Sequence, residues 1–244
     1  MSALAHMIEG RGIPTTVVGL VRPHLEKARP PRSLFVPFQL GRPLGEPDDP
    51  AFQLRVLRHA LGLLERTDGP VILEDFPDDP PGWSELAGWQ PSVALHAGRP
   101  AAAADSETWT TAFRGELAHL APYYQRAMAR HGRTTVGLSR LPTEAWPDFA
   151  VAFLDGSLPA PPLGLPTSAI ALRFLSDDIK AFYGEAVQAD GPRPASRQID
   201  QWFWRKTVAG ALLQALRRVG MDSGNNALKT VSGRFFVPAP YVAK

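Results

Sequence analysis

The apolar residues in the first third of the chain follow the spacings of both strands and helices. Three segments rich in β-branched and apolar residues, typical of strands within a sheet, cover residues 15–21, 33–38 and 71–73. Helices are predicted over residues 2–11, ended by Gly12, and over residues 50–65, where apolar side chains recur at helical spacing. The order of these elements predicts an α/β fold with a mainly parallel sheet and flanking helices.

The rest of the chain predicts mostly helices. They cover residues 106–130, 142–154, 168–188 and 196–219, and one further strand covers residues 133–138. Residues 76–105 contain several prolines, and their apolar residues follow neither the strand spacing nor the helix spacing. This pattern predicts an irregular linker region. We therefore expect an α/β segment over residues 1–75, this linker, and an α-rich C-terminal extension over residues 106–244 that packs on the same domain.

The net charge and the distribution of basic residues indicate which kinds of binding partner to expect. The 244 residues contain 26 Lys and Arg against 24 Asp and Glu, a net charge of +2, and the basic residues are scattered. The nearest approach to a basic cluster, residues 22–32, contains three prolines and an acid and predicts a solvated loop. We therefore expect no nucleic-acid partner. No apolar run approaches the roughly 20 residues of a membrane-spanning helix, so no membrane partner is expected either.

Several kinds of chemistry are excluded or disfavoured by residue type. The chain contains no cysteine, which excludes disulfides, thiolate metal sites and a cysteine nucleophile of its own. Its first residues show no secretory signal, so a cytoplasmic location is expected. The six histidines form no HxxxH or HExxH pair, and neither a GxSxG elbow nor a GxxxxGK phosphate loop occurs. We expect no metal and no cofactor.

Three pairs of adjacent acids and one run of aromatic residues are candidates for catalysis or binding. Three pairs of adjacent acids lie in predicted turns or before predicted helices: Asp48-Asp49, Asp78-Asp79 and Asp177-Asp178. Capping of helix ends is favoured there over acid–base catalysis. In the predicted helix that contains Trp202-Phe203-Trp204, the first two side chains point toward the core. Trp204 is the residue expected to face a cleft or a partner.

The loop at residues 41–45 leaves a predicted strand and enters a predicted helix, which is where open α/β sheets place ligands. Gly41 and Gly45 allow the backbone to approach a ligand closely, and Arg42 can pair with a carboxylate through its two-pronged guanidinium. The alternative interpretation is a tight turn with an exposed arginine. The sequence leaves both open.

Residues 2–66 carry a combined pattern that resembles a known family. It consists of Glu9 with Gly-Ile-Pro-Thr15, then Pro-Arg32-Ser-Leu-Phe35, then Gly41-Arg-Pro-Leu-Gly-Glu-Pro47 and, further along, Gln53 and Ala60-Leu61. In this order and spacing the residues resemble the selenoprotein B family of glycine, sarcosine, betaine and D-proline reductases, over about a quarter of the chain. The resemblance implies an oxidoreductase of amino acid metabolism, in which a selenolate or thiolate attacks a substrate activated on a partner subunit and a C–N bond is cleaved reductively.

The resemblance also implies where a ligand would bind. The site would lie at the carboxyl ends of the first two strands and contain Thr15, Gly41, Arg42 and Gly45, with His24 as a candidate acid. A small carboxylate or amino acid is the expected ligand. The catalytic residue itself is unknown, because the selenocysteine or cysteine that the family carries just before this pattern is missing from the chain. Either the sequence lacks its true N-terminus or it belongs to a branch without this chemistry.

A second hypothesis is a catalytically silent binding or assembly subunit of a larger complex. It would contact a partner subunit, or a second copy of itself, through the face that carries Trp204.

Overall fold

The computed structural model describes residues 1–38, 41–46, 49–78, 86–91, 93, 95, 98–191 and 194–242. The chain divides into two compact units, Met1–Ser84 and Glu85–Lys244, and each has its own apolar core. The division falls within the region 76–105 that the sequence predicts to be a linker.

The first unit contains a three-stranded sheet and short helices. In chain order its elements are α1 (Ser2–Glu9), β1 (Val17–Gly19), α2 (Arg22–Ala28), β2 (Arg32–Phe35), α3 (Pro50–Gly62) and β3 (Ile72–Asp75). The strands are parallel in the order β1-β2-β3, with Leu34 paired to Val18 on one side and to Glu74 on the other. The predicted parallel sheet is therefore confirmed, although it is small and β1 and β2 are shorter than predicted.

Helix α3 supplies much of the core of this unit. Its side chains Phe52 and Val56 are buried together with Leu34 and Ile72 of the sheet. The side chain of Asp49 caps the helix by accepting a hydrogen bond from the backbone N–H of Phe52, at 3.1 Å. The capping function predicted for this acid is confirmed.

Of the other acids in the first two pairs, only Asp78 lies within the described residues. Asp78 forms an ion pair with Arg55 on α3, whereas Asp48 and Asp79 lie outside the described residues.

The predicted loop at residues 22–32 was wrong, because most of it is helix α2. Pro23 occupies the first turn, where the missing N–H of proline costs no hydrogen bond. The helix ends at Arg29, whose backbone is left-handed (φ 45°), and prolines follow at once. The prolines thus delimit a helix instead of preventing one.

The second unit is helical. Its α-helices are α4 (Ser106–His131), α5 (Trp146–Ala152), α6 (Ser168–Val187), α7 (Ser196–Lys206), α8 (Val208–Asp222) and α9 (Asn226–Val231). Helices α4 and α6 pack against each other, and Trp146 of α5 lies edge-on to Phe182 of α6. Together with the small sheet of the first unit, this gives a mostly helical α/β protein with an α-rich C-terminal part, as predicted in outline.

The helix predicted over residues 196–219 is broken in two at Thr207. This residue has an extended backbone (φ −96°, ψ 151°), and its hydroxyl both donates to the carbonyl of Phe203 and accepts from the N–H of Gly210. A side chain at Gly210 would overlap the Phe203 carbonyl, so glycine permits the close turn. Tertiary packing and a threonine cap therefore override a continuous helical pattern.

Two further predictions for this unit were wrong. Residues 133–138 form no strand. Trp204 does not face a cleft or a partner: it is only 2% exposed and stacks on Tyr241, with ring centroids 5.8 Å apart. Because three successive aromatic residues are buried, α7 is enclosed on more than one side.

Candidate functional site

The loop predicted to bind a ligand, residues 41–46, is a turn held by its own hydrogen bonds. Gly41 and Gly45 both have φ of 89°, a conformation that L side chains rarely adopt. The N–H of Gly45 donates to the carbonyl of Arg42 at 3.0 Å, and Gln53 on α3 donates from Nε2 to the carbonyl of Glu46 at 2.8 Å. The glycines and Gln53 of the family-like pattern thus fix the shape of this turn.

Arg42 lies in the same turn and already has a partner. Its guanidinium pairs with the carboxylate of Glu46, one helical turn away in sequence, and both side chains are about three-quarters covered. The amino-terminal end of α3 is occupied as well, since Asp49 caps it and Pro50 provides no N–H. A ligand carboxylate would therefore have to share Arg42 with Glu46 or displace it.

Thr15 belongs to a different cluster. Oε1 of Glu9 accepts from the N–H of Thr15 at 2.7 Å, from its hydroxyl at 3.0 Å and from Nη1 of Arg32 at 2.7 Å. Burial raises the pKa of the Glu9 carboxyl, but the Thr15 hydrogen bonds and Arg32 outweigh it and leave the pKa below its ordinary value. Thr15 precedes β1 and Arg32 begins β2, so this cluster is at the amino ends of the strands. The structure does not bring Thr15 to the carboxyl ends, where the predicted site required it.

His24 lies exposed on α2. Its neighbour Arg22 donates from Nε to Asp75 at the end of β3, at 3.1 Å, and also pairs with Glu26. Within the described residues the ring of His24 has no hydrogen-bonding partner. It is solvent-exposed and not held in place, so nothing here orients it as an acid.

Two acids of the second unit, Asp178 and Glu116, are buried. The sequence pattern predicts capping for Asp178 and does not single out Glu116. Asp178 lies in the middle of α6 and is not a cap, so the capping prediction for this residue was wrong. Its carboxylate accepts from the N–H groups of Gly137, Leu138 and Ser139 at 2.8 to 2.9 Å and from the Ser139 hydroxyl at 2.5 Å. The segment predicted as a strand is instead held along α6 by this carboxylate.

Glu185, two turns after Asp178 on α6, holds the start of the same segment. It accepts from the hydroxyls of Thr134 and Thr135 and from the Thr135 N–H, each at 2.8 Å. A signal for Asp178 was present in the sequence, because it shares a helical face with Leu175 and Phe182, which are both buried.

Glu116 is the second buried acid. It lies on α4 and accepts from the N–H groups of Val208 and Ala209, at 2.5 and 3.2 Å, which begin α8 after the break at Thr207. The buried hydroxyl of Tyr183 faces the same carboxyl group without a hydrogen bond of normal geometry. Burial raises the pKa of Glu116 to about 7, against the lowering effect of the two backbone hydrogen bonds.

Comparison with known proteins adds no assignment. No protein-family model, no curated protein and no solved structure matches this chain. The residues that the structure describes contain no group of three or more histidine, aspartate or glutamate side chains placed to hold a metal ion. In the same part of the chain, none of the helices has the length and apolar character needed to cross a membrane.

Proposed function

We propose that this protein is a non-redox subunit of an oxidoreductase assembly resembling the glycine, sarcosine, betaine and D-proline reductases, with the cytoplasm as its compartment. The observation that carries the proposal is that the polar residues of the family-like pattern bind one another. Glu9 holds Thr15 and Arg32, and Glu46 holds Arg42. Contacts of this kind stabilise the local fold, which is the contribution expected of a subunit without redox chemistry. The thiolate or selenolate that the reaction needs would come from outside these 244 residues, which contain no cysteine.

A surface of α3 supports an assembly function. Leu54, Leu57 and Leu61 are 46%, 39% and 57% exposed and recur at helical spacing. They lie on the side of the helix opposite to its buried residues Phe52 and Val56. Apolar stripes of this kind mark protein–protein contacts more often than isolated exposed leucines do. We assign this stripe, in place of the buried Trp204, to contact with a partner subunit.

The non-redox part of the proposal predicts an inactive isolated chain. With dithiothreitol as reductant, the purified protein should release no ammonia or amine from glycine, sarcosine, betaine or D-proline above the rate without protein, because thiol chemistry needs a thiolate. Turnover by this chain alone would contradict the proposal.

The assembly part is checked separately by sedimentation velocity of the wild type and Leu57→Glu. Self-association that the substitution abolishes would identify a second copy as the occupant of the stripe. A wild type that stays monomeric at every concentration would exclude a second copy as the occupant.

Binding of a small carboxylate or amino acid at Arg42 is the second candidate function. The observation that favours it is that the guanidinium is still partly exposed and that Glu46 engages one of its five N–H donors. A ligand carboxylate could use the remaining donors in a bidentate pair.

This candidate predicts opposite effects of two substitutions in one turn. In calorimetric titration with a panel of small amino acids, Arg42→Ala should weaken binding by about ten- to a hundredfold, since a charged hydrogen bond contributes roughly 1.5–3 kcal/mol. Glu46→Gln should strengthen binding because it removes the competing carboxylate. If neither variant nor the wild type binds any of the ligands, the turn is structural, and the two substitutions should each change stability by about 1 kcal/mol or less.

A further inference from the structure

The second unit contains a cleft of about 390 Å³ that none of the functions above uses. It lies between the turn that follows α5, the end of α8 and the start of α9. Its apolar walls are formed by Phe153, Leu158, Val219 and Leu228. This volume lies within the range of small-molecule sites, which runs from about 300 to 1,000 Å³.

The lining of the cleft contains one acid. Asp222, the last residue of α8, lines it, and within the described structure its carboxylate has neither a hydrogen bond nor an ion pair. Arg218 lies one turn earlier on α8 but makes no ion pair with it. An acid at this position is locally unfavourable, because the carboxyl end of a helix already carries partial negative charge and α8 has no basic residue in its last turn.

The carbonyl groups at the end of α8 add to this charge. Ser223 leaves the helix in an extended conformation (φ −66°, ψ 145°), so no left-handed cap turns back over the end. In the described residues that follow, the N–H of Asn225 donates to the Ser223 hydroxyl and not to a helix carbonyl. The last carbonyls of α8 therefore remain acceptors without backbone donors.

The end of α8 is fixed in position next to α9 by close packing. A side chain on Gly220 would overlap the hydroxyl of Ser232, which is fully buried. Glycine thus lets α8 approach the following segment closely, and Leu228 of α9 is held as one wall of the cleft. This close packing therefore sets the positions of Asp222 and Leu228, which both line the cleft.

From these observations we infer that the cleft binds an organic ammonium ion with an apolar body, such as an alkylamine. The ammonium group would donate to the Asp222 carboxylate and to the free carbonyls of α8, which satisfies its three N–H donors. The alkyl body would lie against Phe153, Leu158 and Leu228. A carboxylate of the same size is repelled by Asp222 and binds more weakly, and an alcohol gains only the apolar contacts. This site is in a different unit from Arg42 and does not depend on the proposed function.

The test is calorimetric titration of the full chain with hexylammonium, hexanol and hexanoate. We expect hexylammonium to bind at least tenfold more tightly than hexanol, and hexanoate to bind more weakly than either. Asp222→Asn should weaken hexylammonium binding at least tenfold and leave hexanol binding unchanged. Leu158→Ala, at a half-exposed wall residue, should weaken both ligands and so locate them in this cleft.

The control variant is Glu144→Gln, which removes an exposed carboxylate that does not line the cleft. It should bind all three ligands as the wild type does. The inference is overturned if hexylammonium does not bind, if Asp222→Asn binds it as tightly as the wild type, or if hexanoate binds equally well. Thermal melting followed by circular dichroism checks that each variant is folded, which is expected because Asp222 and Leu158 are both exposed.

Discussion

Replacing Asp178 by asparagine should lower the free energy of unfolding by about 1–3 kcal/mol for each backbone N–H that loses its acceptor. The carboxylate is fully buried and accepts four hydrogen bonds, three of them from the backbone of residues 137–139. Asparagine has nearly the same size but one acceptor oxygen, and its NH₂ group would face N–H donors. At least one buried N–H would be left unpaired, and each such group costs about 1–3 kcal/mol.

Asp177→Asn is the matched control, because the two acids are adjacent on α6. Asp177 is partly exposed and pairs with Lys180 at 2.9 Å, and such a pair contributes about 0–1 kcal/mol. Urea unfolding of the two variants and the wild type at one pH measures the difference. Equal effects of the two substitutions would show that the buried carboxylate does not hold the 134–139 segment as described.

Glu116 should make the protein less stable as the pH rises from about 4.5 to 7. In the unfolded chain this acid titrates at its ordinary pKa of 4.5, whereas burial raises its folded pKa to about 7. Between these values the folded state holds a proton that the unfolded state has lost, so the free energy of unfolding falls with pH by up to about 1.4 kcal/mol per pH unit. The total loss is about 3 kcal/mol, and it is complete above the folded pKa.

Glu116→Gln should remove this dependence. The amide oxygen of glutamine can still accept from the N–H groups of Val208 and Ala209, and the side chain no longer titrates. The other groups near the carboxyl do not change charge in this window: burial holds the pKa of Tyr183 well above its ordinary value, and Arg99 is an arginine.

Urea unfolding from pH 4.5 to 8 provides the measurement. The free energy of unfolding of Glu116→Gln minus that of the wild type should grow by about 3 kcal/mol across the range. Glu107→Gln, which replaces an exposed acid in the first turn of the same helix, is the matched control and should leave the fall in stability in place. If the free energies of unfolding of the wild type and of Glu116→Gln change in parallel with pH, the titration of Glu116 is not the cause of the fall in stability.

Part of the candidate site could be predicted because its contacts are local. The turn at residues 41–46 needs positive φ at two positions, and glycine in the sequence indicates them. Its ion pair joins Arg42 to Glu46, which is only four residues away. The contact of Arg32 with Glu9 could not be predicted in this way. Arg32 approaches Glu9 only when β1 and β2 pair side by side.

The sequence by itself determined the long regular elements of this protein. Helices α3, α4 and α6 have apolar residues at helical spacing over three or more turns. Each is preceded by a residue whose side chain caps it: Asp49, Asp105 and Thr167, respectively. Helices α4 and α6 match the predicted ranges within one residue, and α3 ends three residues before the predicted end at residue 65. Periodicity and caps act between residues that are close in the chain, so the information needed is all present in a short window.

The tertiary structure alone decided where regular elements break and which polar residues are buried. The break at Thr207 places two N–H groups opposite Glu116, about ninety residues earlier in the chain. Residues 133–138 have a strand-like composition but lie alongside α6. The buried carboxylate of Asp178 accepts hydrogen bonds from N–H groups of this segment, and a buried carboxylate without such donors would be costly. These contacts join residues about 40 to 90 positions apart. A buried charge can find such partners only after the helices have packed, and a local pattern carries no record of which partners they will be.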